Sequence, residues 1–257
     1  MRAVLFDIDG VLAQKGAAIA GAATTLQQLS AAGIPFRFIT NTTSKSPQQM
    51  ARELNAWGLA VDDAHIFNPT RTACRWLNQQ GIERLALLVP PGIEAEFSAF
   101  TAVTETPQAV VVGDVAAGFS FANMNQLFRL LMADTGIPLI ALGMTRYFAA
   151  ADGLQLDVGP FIKALEYASG RRAVVMGKPD KTVFELALAD MGVTATEAIM
   201  LGDDRFSDVL AAQTLGITGV LVRTGKYQPG DDAADASGLK PDHVIDSVAG
   251  LPALLAL

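Results

Sequence analysis

The chain has 257 residues, enough for one large domain or two and for a sizeable buried core. Its 26 acidic residues outnumber 19 basic ones, and a net charge of −7 leaves no basic footprint for nucleic acid. No apolar stretch is long enough to cross a membrane, and Cys74, the single cysteine, excludes intramolecular disulfides and fits a reducing cytoplasm.

The apolar run Ala3-Val4-Leu5-Phe6 starts at once, an opening read as leaving no room for a signal peptide. Such a run predicts a parallel strand buried on both faces. Asp7-Ile8-Asp9-Gly10 follows at its carboxyl end, where open α/β sheets place their ligand crevices. Residues i and i+2 of a strand share a face, so Asp7 and Asp9 are expected to converge on one substrate. One carboxylate can attack there while the other moves a proton. A polar turn would account for the same residues, so the pair needs support from elsewhere.

A helix is expected to end near Gly33, and a second strand over 35–39 stops at Thr40-Asn41-Thr42-Thr43-Ser44. Those hydroxyl and amide groups suit phosphate oxygens. Ser46-Pro47 reads as an N-cap with proline at the first helical position, opening a helix that ends near Gly58.

From about Thr70 a second α/β pattern begins. Its helices are expected near 72–80, 123–133 and 160–169, and its strands near 85–89, 109–112 and 139–142. Cys74 falls on the first of these helices as a small buried hydrophobe rather than a nucleophile. Asp157, just before the third helix, is either a cleft residue or a helix cap. His65 and His243 lack metal-ligand spacing.

The apolar run 173–176 ends at Gly177-Lys178-Pro179, which holds Lys178 at a strand tip. Another, 198–201, runs into Gly202-Asp203-Asp204, with Asp208 following and a helix opening through Val209. Helix capping explains one of these carboxylates but hardly three of them opposite another pair. Two acidic strand ends make a site for a hard divalent cation, and oxygen donors without His or Cys favour Mg²⁺ over Zn²⁺. A last strand over 218–222 and a terminal helix close the chain, and the acidic run 230–235 reads as a solvated loop.

These four strand ends, in this order, resemble the haloacid dehalogenase-like (HAD) phosphatases across the whole chain. The resemblance implies a Rossmann-like parallel-sheet α/β core over 1–69 and 173–257, with an inserted α/β cap over 70–172. It implies Asp7 as nucleophile and Asp9 as general acid/base, with Thr40, Asn41 and Lys178 on the phosphate. It implies Mg²⁺ held by Asp7, Asp9 through its backbone carbonyl, and Asp203, with Asp204 and Asp208 in support. The segments Phe38-Ile39-Thr40-Asn41-Thr42-Thr43, Gly159–Ala168 and Val222-Arg223-Thr224-Gly225-Lys226-Tyr227 resemble the group acting on phospholysine, phosphohistidine and inorganic pyrophosphate. Animal members of that kind can carry Ser where Asp9 stands here.

The chemistry needs these residue types because a carboxylate attacking a phosphate is anion meeting anion. Two unit charges about 4 Å apart repel by roughly 4 kcal/mol at an effective dielectric near 20. A divalent cation and the Lys178 ammonium offset this and hold the reactants in line. The leading expectation is a phosphatase for small P–N or pyrophosphate compounds. The alternatives are a sugar- or nucleotide-phosphate monoesterase and a non-catalytic phosphate-binding protein on the same fold. Homodimerisation through the cap is a further expectation, with no nucleic-acid or membrane partner.

Overall fold

The computed structural model describes residues 2–150, 153–234 and 238–257. They fall into two compact units: Met1–Thr40, Pro47–Phe67 and Lys178–Leu257, and separately Asn41–Ser46 with Asn68–Gly177.

The first unit is built on a six-stranded parallel sheet. Its strands run, from one edge, His243–Ile245, Thr218–Val222, Ala198–Gly202, Ala3–Phe6, Phe36–Ile39 and Ile66–Phe67. Ala3–Phe6 is buried at all four positions, as its unbroken apolar run requires of a central strand. The chain leaves it for Phe36–Ile39 on one side and later returns to Ala198–Gly202 on the other. That reversal makes the carboxyl ends of these three strands the topological switch point, where such sheets bind ligands. One face of the core packs the rings of Phe6, Phe36 and Phe38, with centroids 5.5 to 6.2 Å apart.

The second unit has its own five-stranded parallel sheet, ordered Val174–Val175, Leu139–Ala141, Ala109–Val112, Arg84–Leu88 and Thr101–Ala102. Helices Pro69–Gln79, Phe121–Ala133 and Val158–Ser169 lie close to their expected spans and begin two or three residues earlier. Each start is set by a cap: Asn68 accepts from Arg71 N, Ser120 from Asn123 N, and Asp157 from Val158 N. Asp157 is therefore a helix cap.

Two differences from the sequence reading concern where the chain changes unit. Val174–Val175, expected to resume the first sheet, pairs with Leu139–Ala141 in the second, and the first unit resumes at Lys178. An apolar pair carries no signal for which of two sheets it joins. The loop 41–46 also belongs with the second unit. Asn68 Nδ2 donates to Lys45 O at 3.2 Å, and a Cβ on Gly177 would lie 2.7 Å from Asn41 Oδ1.

The segment expected to open as a helix after Asp204 begins as a π-helix over Arg205–Leu210 and narrows to an α-helical turn at Ala211–Gln213. Within the acidic run 230–235, Asp235 lies outside the described residues. Among the described residues, no helix is long and apolar enough to cross a membrane.

Candidate active site

Two strand ends of the first unit and the helix that follows the second of them converge. Asp7 follows Ala3–Phe6 directly, and its backbone N–H donates to Leu201 O at 2.9 Å, tying it to the strand that delivers Asp203. Asp208 comes back to the same place from the π-helix. The wider turn and Gly202 make this possible, since a Cβ on Gly202 would stand 2.2 Å from Asp208 Cβ.

Carboxylate oxygens of Asp7, Asp203 and Asp208 lie within 4.8 Å of one another, and all three residues are buried. Lys178 is buried beside them, with Nζ 2.6 Å from Asp7 Oδ1 and 2.7 Å from Asp208 Oδ1. Three carboxylates against one ammonium leave a formal local charge of −2. The electrostatics follow from this imbalance. Burial pushes Asp7 and Asp203 above the usual carboxylate range and Asp208 up to about 6, with Lys178 pulling Asp7 and Asp208 back only in part. Burial opposes the Lys178 charge too, but its two carboxylate partners outweigh that and raise it.

The residues fit a hard divalent cation on an observation independent of their number. Asp203 Oδ2 accepts from Lys226 N at 2.8 Å, whereas Asp203 Oδ1 is buried with no hydrogen-bond partner. An ionised oxygen buried without a donor is costly, and a cation held by oxygen donors removes that cost.

The other expected site residues are distributed as follows. Asp9 is exposed while Asp7 is buried, because the strand stops at Phe6 and the rule that i and i+2 share a face stops with it. The Asp9 carboxylate thus stands outside the cluster of three. Thr40 is buried at the tip of Phe36–Ile39, its N–H donating to Phe67 O at 3.1 Å. Asn41 belongs to the second unit and is exposed. Asp204 caps the π-helix, accepting from the N–H groups of Phe206 and Ser207, and pairs with Lys226 at 3.3 Å. Asp208, expected in support, is one of the three clustered carboxylates.

The sequence reading assigned no role to Thr224-Gly225-Lys226, although it quoted the segment. Thr224 Oγ1 donates to Gly10 O, and Lys226 N is the donor on Asp203.

Family models match two stretches, a haloacid dehalogenase-like hydrolase model over residues 4–101 and a HAD-hydrolase-like model over 175–251. The chain is 42% identical over 253 residues to the phospholysine phosphohistidine inorganic pyrophosphate phosphatase of Bos taurus, covering 97% of this chain and 92% of the relative. It is 41% identical to haloacid dehalogenase-like hydrolase domain-containing protein 2 of Mus musculus, covering 90% and 88%. Among solved structures it is similar to a p-nitrophenyl phosphatase from Archaeoglobus fulgidus, with a TM-score of 0.87, 27% identity and coverage of 100% and 99%. NagD from E. coli K-12 gives a TM-score of 0.84 at 25% identity, covering 97% of each chain.

Proposed function

The chain belongs to the haloacid dehalogenase-like hydrolases and is a phosphatase, and from that premise we propose that it is Mg²⁺-dependent and hydrolyses small P–N or pyrophosphate compounds through an aspartyl phosphate. The observation that carries this reading is the buried Asp7 carboxylate held at 2.6 Å by Lys178 within a three-carboxylate cluster.

In this reading an Asp7 oxygen attacks phosphorus while the Lys178 ammonium draws charge from the phosphate oxygens. Thr40 and Asn41 donate to the remaining oxygens. Asp9 gives its proton to the departing nitrogen or oxygen, so the P–N or P–O bond breaks to a neutral or singly protonated leaving group. Asp9, now a base, takes a proton from water as the water attacks the aspartyl phosphate. Inorganic phosphate leaves and Asp7 is restored. The exposure of Asp9 suits a group that must meet both a leaving atom and solvent. Asp7, Asp203 and the Asp9 carbonyl, supported by Asp208 and Asp204, would hold Mg²⁺, which would supply positive charge for phosphoryl transfer. The inserted unit serves as the cap.

The substrate class rests on the names of relatives at 42% and 40% identity over 97% of this chain, which act on phospholysine, phosphohistidine and pyrophosphate. The second reading, a phosphomonoesterase for sugar or nucleotide phosphates, is favoured by the p-nitrophenyl phosphatase neighbour. A panel of phospholysine, phosphohistidine, pyrophosphate, sugar phosphates and nucleotide monophosphates, with Mg²⁺ and after chelation, tests both. The highest kcat/KM is expected on the first three, with activity lost in chelator and recovered on Mg²⁺ addition. Preference for the sugar or nucleotide esters would move the assignment to the second reading, and full activity after chelation would remove the metal. Failure to hydrolyse any of them or p-nitrophenyl phosphate would leave a phosphate-binding protein.

A further inference from the structure

Within the first unit, the turn after strand Thr218–Val222 touches the site at three points. Lys226 N donates to Asp203 Oδ2 at 2.8 Å, leaving Asp203 Oδ1 as the oxygen without a donor. Thr224 Oγ1, 214 residues away in sequence, donates to Gly10 O, immediately beyond Asp9. Gly225, between them, packs with no room to spare: a Cβ there would stand 2.0 Å from Asp203 Oδ2 and 2.7 Å from Gly10 Cα. Its φ of +65° is also one that side chains rarely adopt.

The Gly10 peptide groups are held from both sides. Gly10 N donates to Ala13 O at 2.8 Å, and Gly10 O accepts from Thr224. Because a trans peptide is planar, fixing Gly10 N–H also fixes the direction of the Asp9 carbonyl on the same peptide. The Gly10 carbonyl belongs to the next peptide, Gly10–Val11, so Thr224 restrains Gly10 from the side opposite the Asp9 peptide. Gly10 N–Ala13 O is part of the bridge between Asp9 and Ala13, whereas the Thr224 Oγ1–Gly10 O and Lys226 N–Asp203 Oδ2 bonds complete no helix or strand and end on the loop and carboxylate that the proposed chemistry uses.

We propose that Thr224-Gly225-Lys226 is a positioning element of the active site, aiming the Asp203 carboxylate through the Lys226 N–H and holding Gly10, the residue after Asp9, through the Thr224 hydroxyl. The inference rests on the reading of Asp7, Asp9 and Asp203 given above. The turn contacts neither substrate nor reacting atoms in this role. It sets the geometry of groups that do, and a small displacement of such groups is enough to slow turnover.

The test replaces Thr224 by Val, which keeps the shape and removes the donor, and by Ser, which keeps the donor. Steady-state kinetics on p-nitrophenyl phosphate at saturating Mg²⁺ are combined with calorimetric titration of the metal-free proteins with Mg²⁺ alone. Thr224→Val is expected to lower kcat about tenfold with KM within about twofold, and to weaken Mg²⁺ binding by a similar factor. Thr224→Ser is expected to stay within about twofold of wild type in both. Gly225→Ala, which pushes on Asp203 and Gly10 together, is expected to lose more than Thr224→Val. A kcat for Thr224→Val within about twofold of wild type overturns the proposal, as does an equal loss in Thr224→Ser. A loss that tracks a lower fraction of folded protein by circular dichroism overturns it too, because it reports a structural role. The wild-type titration reports the Mg²⁺ reading alone, and the ratio of variant to wild type reports the turn, so failure of one is distinct from failure of the other.

Discussion

At the scale of single residues, the decisive arrangement is one lysine shared by two carboxylates, with a third close by. Lys178 pairs with Asp7 and Asp208 at 2.6 and 2.7 Å, and side-chain exposures of 4%, 8% and 1% exclude water as the compensating solvent. Such a cluster is costly for folding, since an ammonium serving two carboxylates neutralises neither fully. Under the proposed reading, the cost is met by function, since Asp7 must stay anionic beside an incoming phosphate. Asp7→Asn keeps the size and a hydrogen-bonding group but removes the attacking anion. Turnover is expected to fall by at least about a thousandfold, or roughly 4 kcal/mol in barrier, while the melting temperature is unchanged or raised by relief of like charge. Steady-state kinetics and a thermal melt check both, and turnover within about tenfold of wild type would remove Asp7 as the nucleophile. Cys74 contrasts with this cluster. Burial and the neighbouring Glu96 push its thiol up to about 12, in keeping with a packing residue rather than a reactive one.

At the scale of elements, glycines and caps decide where each segment stops, and long-range polar contacts decide what it meets. Helix Phe121–Ala133 ends without a glycine, and its last carbonyls need donors. Arg171 supplies one for Leu131 in the last turn, and its guanidinium also donates to the carbonyls of Asp134, Thr135 and Ile137 just beyond the helix. Arg171→Ala leaves those carbonyls to water and frees the end of the helix, and is expected to cost about 2 kcal/mol of unfolding free energy. A urea titration followed by circular dichroism reads that loss, and a change under about 0.5 kcal/mol would mean that solvent replaces the guanidinium without penalty. Nothing near Arg171 in sequence announces this role, because its partners lie 34 to 40 residues away. The same reason hid Thr224 and Lys226 from a reading along the chain. What the sequence made legible was local: the strands at 109–112 and 218–222 match residue for residue, the first an apolar run between Gln108 and Gly113 and the second a β-branched-rich run ending before Arg223. Asp7 was visible as the residue directly after an apolar run, Lys178 and Asp203 because each follows such a run across a glycine, and Asp208 only as a further carboxylate near Asp203. The inward placement of Asp208 was not, because it depends on a π-turn that sequence periodicity does not encode.

At the scale of the whole molecule, the chain passes between its two units four times, at 40/41, 46/47, 67/68 and 177/178. The sequence suggested only two passages, near 67–70 and 171–174. Three of the four passages adjoin residues of the proposed site or its neighbours: Thr40 and Asn41 at the first, Asn68 at the third, and Lys178 at the last. Under the proposed reading, phosphate-binding groups thus lie where the chain changes unit. If that unit is the cap proposed above, its closure excludes water from the aspartyl phosphate until the leaving group has departed. It also limits the substrate to what fits beneath it. Free phospholysine, phosphohistidine and pyrophosphate are then expected to react with kcat/KM at least about a hundredfold above that for the same phosphoryl group on an intact folded protein, a difference of roughly 2.7 kcal/mol. Unfolding or proteolysing the protein substrate to short peptides should recover much of that factor, since an extended segment can thread where a globular surface cannot. Phosphate release from matched free, peptide and folded-protein substrates measures it. Equal rates on folded protein and free compound would refute the cap while leaving the chemistry at Asp7 intact, because the carboxylate cluster and Lys178 are assembled entirely within the first unit.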